Sequence, residues 1–210
     1  ASGQREIRIS ALPYFVSAVI LPRMNEFLQN FPTISLRIET STQYADLESS
    51  GVDLAGRRII KRKAGLHVDK LLDVRAMPVC AASLTQGKHP LKKASDLTHH
   101  TLMQSTQQPS MWQAWLAEAG VPSLESSGEM WFDNVQLALE AAQRGLGVAL
   151  AMNPIVKTWP GFGVTLVAPL AINTKTVLTY YAVCRPEQKD EPAMLALRRW
   201  LMQITRDLRG

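Results

Sequence analysis

Hydrophobic positions follow two periods that alternate along the chain. Short apolar or alternating runs, typical of strands, are separated by stretches whose apolar residues recur every three or four positions, typical of helices. The runs predicted as strands are residues 7–11, 34–38, 52–55, 66–72, 76–81, 101–104, 129–132, 147–151, 164–167 and 177–183. The stretches predicted as helices are residues 19–31, 45–50, 95–97, 111–119, 135–144 and 194–208. Strands that alternate with helices indicate an α/β fold with mainly parallel sheets.

The stretch FDNVQLALEAAQRGLGVALA, residues 132–151, contains a Gly-x-Gly sequence that has to be tested as a phosphate-binding loop. A dinucleotide-binding loop has a strand before its glycines and a helix after them. Here the order is reversed, because an Ala- and Leu-rich helix precedes Gly145 and an apolar run from Val148 follows it. The glycines therefore indicate a tight turn between a helix and a strand, and not a nucleotide site.

The start of the same helix carries Asp133 and Asn134, two residue types that cap helices well. They follow the predicted strand 129–132 directly. In α/β proteins such a strand-to-helix junction presents free backbone N–H groups to ligands. We assign the capping role to Asp133 and a ligand contact to Asn134.

The charge of the chain changes this picture at one place. The 210 residues are 46% hydrophobic and 20% charged, which is ordinary for a globular protein with a core, and the formal net charge is +5. Residues 57–63, RRIIKRK, hold five cations in seven positions. This basic run is consistent with a solvated loop, with a rim that attracts an anionic effector, or with a DNA contact in a longer protein. The sequence leaves these three interpretations open.

Several classes of function find no support in the sequence. Cys80 and Cys184 form no CxxC pair, and the four histidines show no metal-ligand spacing. A nucleophile, a base and an orienting acid are not recognisable as a set, so we expect no enzyme activity and no cofactor. No apolar run approaches the ~20 residues that cross a bilayer. The first residues also lack a secretory signal, and we therefore expect a cytoplasmic protein without membrane contact.

Several stretches together resemble the effector-binding domain of LysR-type transcriptional regulators, in the subgroup of the glycine-cleavage and β-lactamase activators. In chain order they are IRISALPYFVSAVILPRMNEFLQNFPTISLRI, VDLAGR, GLHVDKLLDVRAMPVCAASL, PLKKASDLTHHTLMQ, WFDNVQLALEAAQRGLGVALA and RRWLMQI. The resemblance implies a type 2 periplasmic-binding-protein-like fold, in which two crossover strands join two Rossmann-like subdomains. A small effector would lie in the cleft between them.

The resemblance also implies boundaries and partners. Subdomain I would comprise residues 1–79 and 184–210, and subdomain II residues 80–183. A full-length regulator would carry an N-terminal winged helix–turn–helix domain, which this chain lacks, so DNA would be bound only through that missing part. We expect a homodimer, and a tetramer in the full-length protein, because helix 19–31 carries more apolar residues than one sheet face needs. Cys80 and Cys184 would lie in the two crossovers, and we expect them to be free thiols in a reducing compartment.

Strand-to-helix junctions supply most of the predicted effector contacts, because unpaired backbone N–H groups converge there. Hydroxyls near the ends of the first two predicted strands and the amide of Asn134 are suitable donors. The resemblance adds a tyrosine of the last strand and the loop 105–110. The predicted effector-binding residues are Tyr14, Ser17, Ser41, Thr42, Asn134 and Tyr180. Donors without an obvious carboxylate beside them favour an anionic effector, and a small carboxylate such as an amino acid or a peptide fragment fits better than a nucleotide.

One residue departs from the family pattern. The family usually has a bulky aliphatic residue before the arginine of Asp-Leu-Ala-x-Arg, where this chain has Gly56. We expect this glycine to leave space beside its strand. A second class of function stays open at this point, namely a two-lobed solute-binding receptor or a cleft enzyme of the same fold. A helix–turn–helix pattern upstream in the gene would favour the regulator, and a signal peptide would favour the receptor.

Overall fold

A computed structural model describes residues 5–41, 47, 50–58, 65–172 and 174–208. The chain divides into two compact units: unit 1 is Ala1–Val74 with Leu178–Gly210, and unit 2 is Arg75–Val177. The boundaries implied by the resemblance, after residues 79 and 183, lie five and six residues further along the chain (79 − 74 and 183 − 177). Those boundaries stay a prediction.

The predicted alternation of strands and helices is confirmed in outline. The strands in the described residues are β1 (Arg5–Ala11), β2 (Ile34–Thr40), β3 (Leu54–Arg57), β4 (His67–Ala81), β5 (Thr101–Ser105), β6 (Gly128–Phe132), β7 (Val148–Asn153), β8 (Leu166–Val167) and β9 (Leu178–Cys184). The α-helices are α1 (Pro13–Phe15), α2 (Met24–Asn30), α3 (Met111–Glu118), α4 (Val135–Gln143) and α5 (Pro192–Asp207). No described helix is long and apolar enough to cross a membrane.

Unit 1 is a sheet with the strand order β2-β1-β3-β9-β4. Strands β1, β2 and β3 are parallel, so their carboxyl ends share one edge. Strand β9 is antiparallel to β3 and to the first part of β4, from His67 to Val74. A helical segment separates β1 from β2, as a parallel pair requires, whereas β9 forms antiparallel pairs with β3 and β4 that local periodicity did not predict.

A helical segment with a changing pitch follows β1 in unit 1. It begins at Pro13, passes through a π-helical turn (Val16–Ile20) and a 3-10 turn (Leu21–Arg23), and ends with α2 at Asn30. The N–H of Leu21 reaches back five residues to the Val16 carbonyl. Pro22 lacks an N–H and cannot continue the regular i to i−4 ladder, so the pitch changes where it sits. The segment starts six residues before the predicted helix 19–31 (19 − 13).

Helix α5 packs against this segment and is tied to β4 by a buried ion pair. Trp200 of α5 contacts Phe27 of α2, with ring centroids 5.0 Å apart. The Arg198 guanidinium donates to Asp69 on β4 through Nε (2.6 Å to Oδ2) and Nη2 (3.0 Å to Oδ1). Arg198 also donates to the Lys189 carbonyl at 2.6 Å and contacts Nε2 of His67. The side chains of Arg198 and Asp69 are 7% and 14% exposed, so the pair lies largely out of water.

Unit 2 is a second sheet, in which the later part of β4 pairs with β7 and the order continues through β5 to β6. Strands β5, β6 and β7 are parallel to one another, and β8 adds a short antiparallel pair on β4. One side of this sheet is covered by an apolar cluster that includes both tryptophans of α3, Trp112 and Trp115. The turn after α4 is built as the sequence predicts: Gly145 has a φ of 82° and ends the helix. At Gly147 a Cβ atom would lie 2.2 Å from the Thr101 carbonyl oxygen, so only glycine fits there.

Several predicted elements are wrong in detail. The runs 66–72 and 76–81 form the single strand β4. Strand β3 begins and ends two residues later than the predicted 52–55, and β8 lacks the exposed Val164. The expected space beside Gly56 is also absent, since a Cβ there would lie 3.1 Å from the Ala11 Cβ. The predicted helix 45–50 lies mostly outside the described residues.

Candidate functional site

The carboxyl-terminal edge of β1 and β3 in unit 1 carries a buried arginine. Arg57, the last residue of β3, is 4% exposed. Its Nη1 donates to the carbonyl oxygens of Ser10 (2.8 Å) and Gly56 (2.9 Å), and its Nη2 donates to Oγ of Ser10 (2.8 Å). The interpretation of the basic run as a solvated loop is therefore wrong at Arg57. The rest of the run from residue 59 lies outside the described residues, and Arg58 is half-buried.

Tyr180 lies on β9 in the same unit and is 2% exposed. Its ring stacks on Phe15, with centroids 4.8 Å apart and planes inclined by 18°. The Arg58 guanidinium lies near its hydroxyl. Burial raises the pKa of Tyr180 above its ordinary value, and the nearby Arg58 guanidinium offsets part of that rise. The phenol therefore stays protonated at neutral pH and has one cationic neighbour.

Tyr14 and Ser17 lie on the helical segment that follows β1. Tyr14 is 4% exposed, and burial together with the electrostatic effect of Tyr180 raises the pKa of its phenol. The Oγ of Ser17 donates to the Tyr14 carbonyl at 3.2 Å. Serine in a helical turn commonly donates backwards in this way, so this hydroxyl reaches a ligand as a donor only by giving up that bond.

Ser41 and Thr42 follow β2 at the same edge of unit 1. The backbone N–H of Ser41 donates to the Ala11 carbonyl at 3.0 Å, which extends the pairing of β1 and β2 by one residue and holds Ser41 beside the end of β1. The Ser41 residue is half-buried. Thr42 lies outside the described residues, so its predicted contact stays a prediction.

Asn134 belongs to unit 2 and is the N-cap of α4. Its Oδ1 accepts the backbone N–H of Gln136 at 2.8 Å, and its backbone is extended (φ −131°, ψ 123°). The assignment of the capping role to Asp133 is therefore wrong. The predicted loop 105–110 lies close by, because the Thr106 N–H donates to the Phe132 carbonyl at 2.9 Å. A ligand contact of Asn134 remains a prediction and would use the Nδ2 amide group.

Unit 1 thus brings four of the predicted residues to one region: Tyr14, Ser17, Ser41 and Tyr180. Sequence reasoning missed Ser10 at this edge, and it considered Arg57 and Arg58 only as part of the basic run, with an anion-attracting rim as one of three interpretations. The sequence contained a usable signal for Arg57, because Arg57 directly follows the apolar run of β3, and the parallel strand β1 ends at the same edge. Among the residues that the structure describes, no group of three or more His, Cys, Asp or Glu side chains could hold a metal ion. Cys80 and Cys184 are both buried free thiols, and burial raises the pKa of each.

Comparison with known proteins identifies consistent relatives. The profile of the LysR substrate binding domain matches residues 1–206. The glycine cleavage system transcriptional activator of Escherichia coli K12 is 29% identical over 201 residues, which cover 96% of this chain and 65% of that protein. The transcriptional activator AmpR of Rhodobacter capsulatus is 30% identical over 203 residues, covering 95% of this chain and 68% of that protein.

Solved structures give the same result. The effector domain of the regulator AmpR from Pseudomonas aeruginosa has a TM-score of 0.81 at 27% identity, with 99% of this chain and 98% of that chain covered. The AmpR effector binding domain of Citrobacter freundii also has a TM-score of 0.81, at 24% identity, with 97% and 100% covered. The chain spans just under two thirds of the length of the glycine cleavage activators it matches.

Proposed function

Because the chain belongs to the LysR substrate-binding domain family, we propose that it senses a small anionic effector at the carboxyl-terminal edge of β1 and β3. The relatives are transcriptional regulators, and their matched segments are effector-binding domains. A longer regulator that contains this chain would pass the binding signal to a DNA-binding region elsewhere in the protein. That coupling is part of the proposal.

The observation that carries the proposal is that two consecutive arginines end and follow β3 at this edge, one buried and bonded to Ser10 (Arg57) and one half-buried and near Tyr180 (Arg58). Arg57 is bonded to Ser10 and holds the end of β3 in place, so its role is positioning. Arg58 directly follows Arg57 and is half-buried, so a ligand can reach its guanidinium, which is partly shielded from water. A carboxylate beside such an arginine forms shorter and stronger hydrogen bonds than beside a neutral donor. An anionic effector is therefore the class that this chemistry favours.

The effector class is tested by a thermal-shift screen of small carboxylates, amino acids, short peptides, amines and apolar compounds. The best ligand is then measured by calorimetry against Arg58→Gln, Ser17→Ala and Asn134→Ala. Arg199, which is exposed on α5, supplies the matched control Arg199→Gln. We expect Arg58→Gln to weaken binding by roughly 1.5–3 kcal/mol, since it removes a charge-assisted bond. We expect the control to bind like the wild type.

The outcomes separate the parts of the proposal. Ligands that are cationic or purely apolar would overturn the anionic class. An anionic ligand that binds Arg58→Gln and Ser17→Ala as tightly as the wild type would overturn the location in unit 1. A loss confined to Asn134→Ala would move the site to unit 2, where the Nδ2 amide of that residue is the predicted donor.

We also propose that the chain forms a homodimer through apolar surfaces that each unit presents. In unit 1, a groove of about 470 Å³ lies between α2 and β2 and is lined by Leu21, Met24, Leu28, Pro32, Ile34, Ser35, Leu36 and Ile38. Leu21 and Leu28 are 54% and 44% exposed. In unit 2, Met130 and Trp131 of β6 are 37% and 51% exposed. Large apolar side chains exposed together are typical of interaction surfaces, and a specific dimer would bury ~1,000 Å² or more.

A further inference from the structure

A basic pocket in unit 2, away from the predicted effector contacts, has no role in the proposed function. It is formed by the chain segment that connects β4 to β5, and it is lined by Lys88, His89, Pro90, Lys92, Lys93, Asp96 and His99 around a volume of about 610 Å³. The three lysines and the two histidines are all exposed. We call these seven residues the lysine–histidine pocket.

The electrostatic balance of the lysine–histidine pocket is positive. Three lysines face one carboxylate, which leaves a formal charge of +2 with both imidazoles neutral (3 − 1). The Asp96 carboxylate is engaged by the loop backbone, because its Oδ2 accepts the backbone N–H groups of Lys92 and Lys93, each at 2.9 Å. These backbone bonds, that of Lys92 foremost, hold the pKa of Asp96 below its usual range. Asp96 therefore serves the turn through these two backbone bonds, and the pocket keeps an excess of positive groups for a ligand.

The two exposed histidines are held as a stacked pair. The rings of His89 and His99 lie 4.3 Å apart between centroids, with planes inclined by 26°. Because the two imidazole rings are stacked, their nitrogens lie near one another, and each ring can donate a hydrogen bond. His100, the residue after His99, is 8% exposed. Burial lowers the pKa of His100, which favours its neutral ring.

The frame under the pocket is well packed. Leu91 and Leu97 are fully buried on either side of the lysine pair, and the Leu91 N–H donates to the Leu84 carbonyl at 2.9 Å. The 3-10 turn Ala94–His99 is closed at its start by Asp96. The backbone positions from which the cationic side chains extend are therefore set by buried residues and backbone bonds, and a ligand does not have to order the loop when it binds.

From these contacts we propose that the lysine–histidine pocket binds a phosphate group. A phosphate carries close to two negative charges and several acceptor oxygens, which match three ammonium groups and two imidazole donors better than a single carboxylate does. The group could belong to a small phosphorylated molecule or to the backbone of DNA. Both sources share the same recognition chemistry, and the volume of the pocket leaves room for more than the phosphate itself.

The experiment compares the wild-type chain with two variants that spare the frame. Lys92→Gln with Lys93→Gln removes two charges and keeps the backbone N–H groups that bond Asp96, and His99→Gln removes one ring of the stacked pair. Lys157, exposed elsewhere in unit 2, supplies the control Lys157→Gln, which removes one lysine charge away from the pocket. Pyrophosphate and a short mixed-sequence DNA duplex are the two probes, titrated in chloride buffer at several salt concentrations. Thermal unfolding of each variant shows that the fold is kept.

For a site that binds a small phosphate compound, we expect pyrophosphate to bind about tenfold more weakly to the double lysine variant and severalfold more weakly to His99→Gln. Its binding to Lys157→Gln should be unchanged. Binding of the duplex with the same pattern of losses, together with a steep decrease of affinity with salt, supports a DNA contact. The proposal is overturned if neither probe binds, or if the double lysine variant binds both probes as tightly as the control. Variants of Arg58 and Ser17 in unit 1 leave these titrations unchanged, which keeps this site distinct from the effector site.

Discussion

Replacement of Asp69 by asparagine removes the negative partner of the buried ion pair on α5 and keeps the shape of the side chain. Arg198 then keeps its bond to the Lys189 carbonyl and loses both charge-assisted bonds to Asp69. Because the Arg198 side chain is only 7% exposed, water cannot replace the lost carboxylate. Removing one partner of such a buried pair costs about 3–5 kcal/mol, since the other charge stays buried without compensation. The modest exposure of Asp69 favours the lower end, about 3 kcal/mol.

This loss is large compared with the stability of an ordinary domain, which is about 5–15 kcal/mol. For a chain of this length it corresponds to a decrease in melting temperature of about 6–12 °C. Urea unfolding followed by tryptophan fluorescence measures it, with Trp200 on α5 as a nearby probe. The matched control is Glu39→Gln, which removes the carboxylate of the exposed Arg37–Glu39 pair, 54% and 51% exposed. A surface pair of this kind contributes about 0–1 kcal/mol.

A double-mutant cycle tests the reasoning further. Arg198→Met combined with Asp69→Leu replaces the ion pair by apolar side chains of similar size, and such exchanges are often neutral. We therefore expect the double variant to be more stable than either single variant, and the two effects to be clearly non-additive. Additive effects, or an Asp69→Asn loss no larger than that of Glu39→Gln, would refute the buried-pair explanation.

The pH dependence of the same variant has a defined sign. Burial alone would raise the pKa of Asp69, but the bonds and the charge of Arg198, with those of His67, outweigh it and hold the pKa below its ordinary value. A lowered folded-state pKa means that Asp69 contributes stability above its unfolded-state pKa of about 3.9 and loses it as the pH falls through the lower folded value. The difference between wild type and Asp69→Asn is therefore full at neutral pH and shrinks in acid below pH ~4.

Three further predictions concern the dimer, the helix cap and the tight turn. Leu28→Lys converts a dimer to a monomer in sedimentation, while Leu146→Lys, at an equally exposed leucine outside the α2–β2 groove, leaves the mass unchanged; a wild-type chain that is already monomeric well above assay concentrations would contradict the dimer. Asn134→Ala loses the cap of α4 and lowers the free energy of unfolding by about 1 kcal/mol, whereas Asn134→Ser keeps most of it. Gly147→Ala forces Cβ against the Thr101 carbonyl and destabilises unit 2 by more than the ~1 kcal/mol typical of a point mutation; a loss below that value in chemical unfolding would mean that the turn adapts.

Local periodicity predicted the strands and helices well where the local pattern of side chains determines an element's bounds. It failed where those bounds depend on partners that are distant in the sequence. Strand β3 begins at Leu54 and not at the predicted Val52. The Asp53 carboxylate accepts bonds from the Arg8 N–H (2.9 Å) and from Arg185 (3.2 Å), and both residues are far away in the sequence. Strand β4 continues through Asp73 because that carboxylate accepts the Thr179 hydroxyl at 2.6 Å. A polar residue in a predicted strand looks like a break until its partner is known.

The same limit applies to the candidate site. Tyr14, Ser17 and Ser41 could be proposed because strand ends are recognisable in a sequence, and the structure holds them in one unit. The position of Arg57 at the end of a strand could be recognised in the sequence, but its burial could not, because the burial depends on the Ser10 carbonyl and hydroxyl of a neighbouring strand. The choice between Asp133 and Asn134 as the cap was equally out of reach, since both residue types cap helices and one residue of register separates them.

The division of unit 1 between the two ends of the chain has a consequence during synthesis. Strand β3 pairs with β9, and Leu54 meets Cys184, 130 residues later (184 − 54). At a translation rate of ~5–20 residues per second, β3 waits roughly 6–26 s for this partner. Unit 2 is continuous in sequence and emerges complete before then. On the ribosome, unit 1, with its buried ion pair and Arg57, is therefore finished last, and a chain that stops before β9 lacks Tyr180 of the proposed effector site.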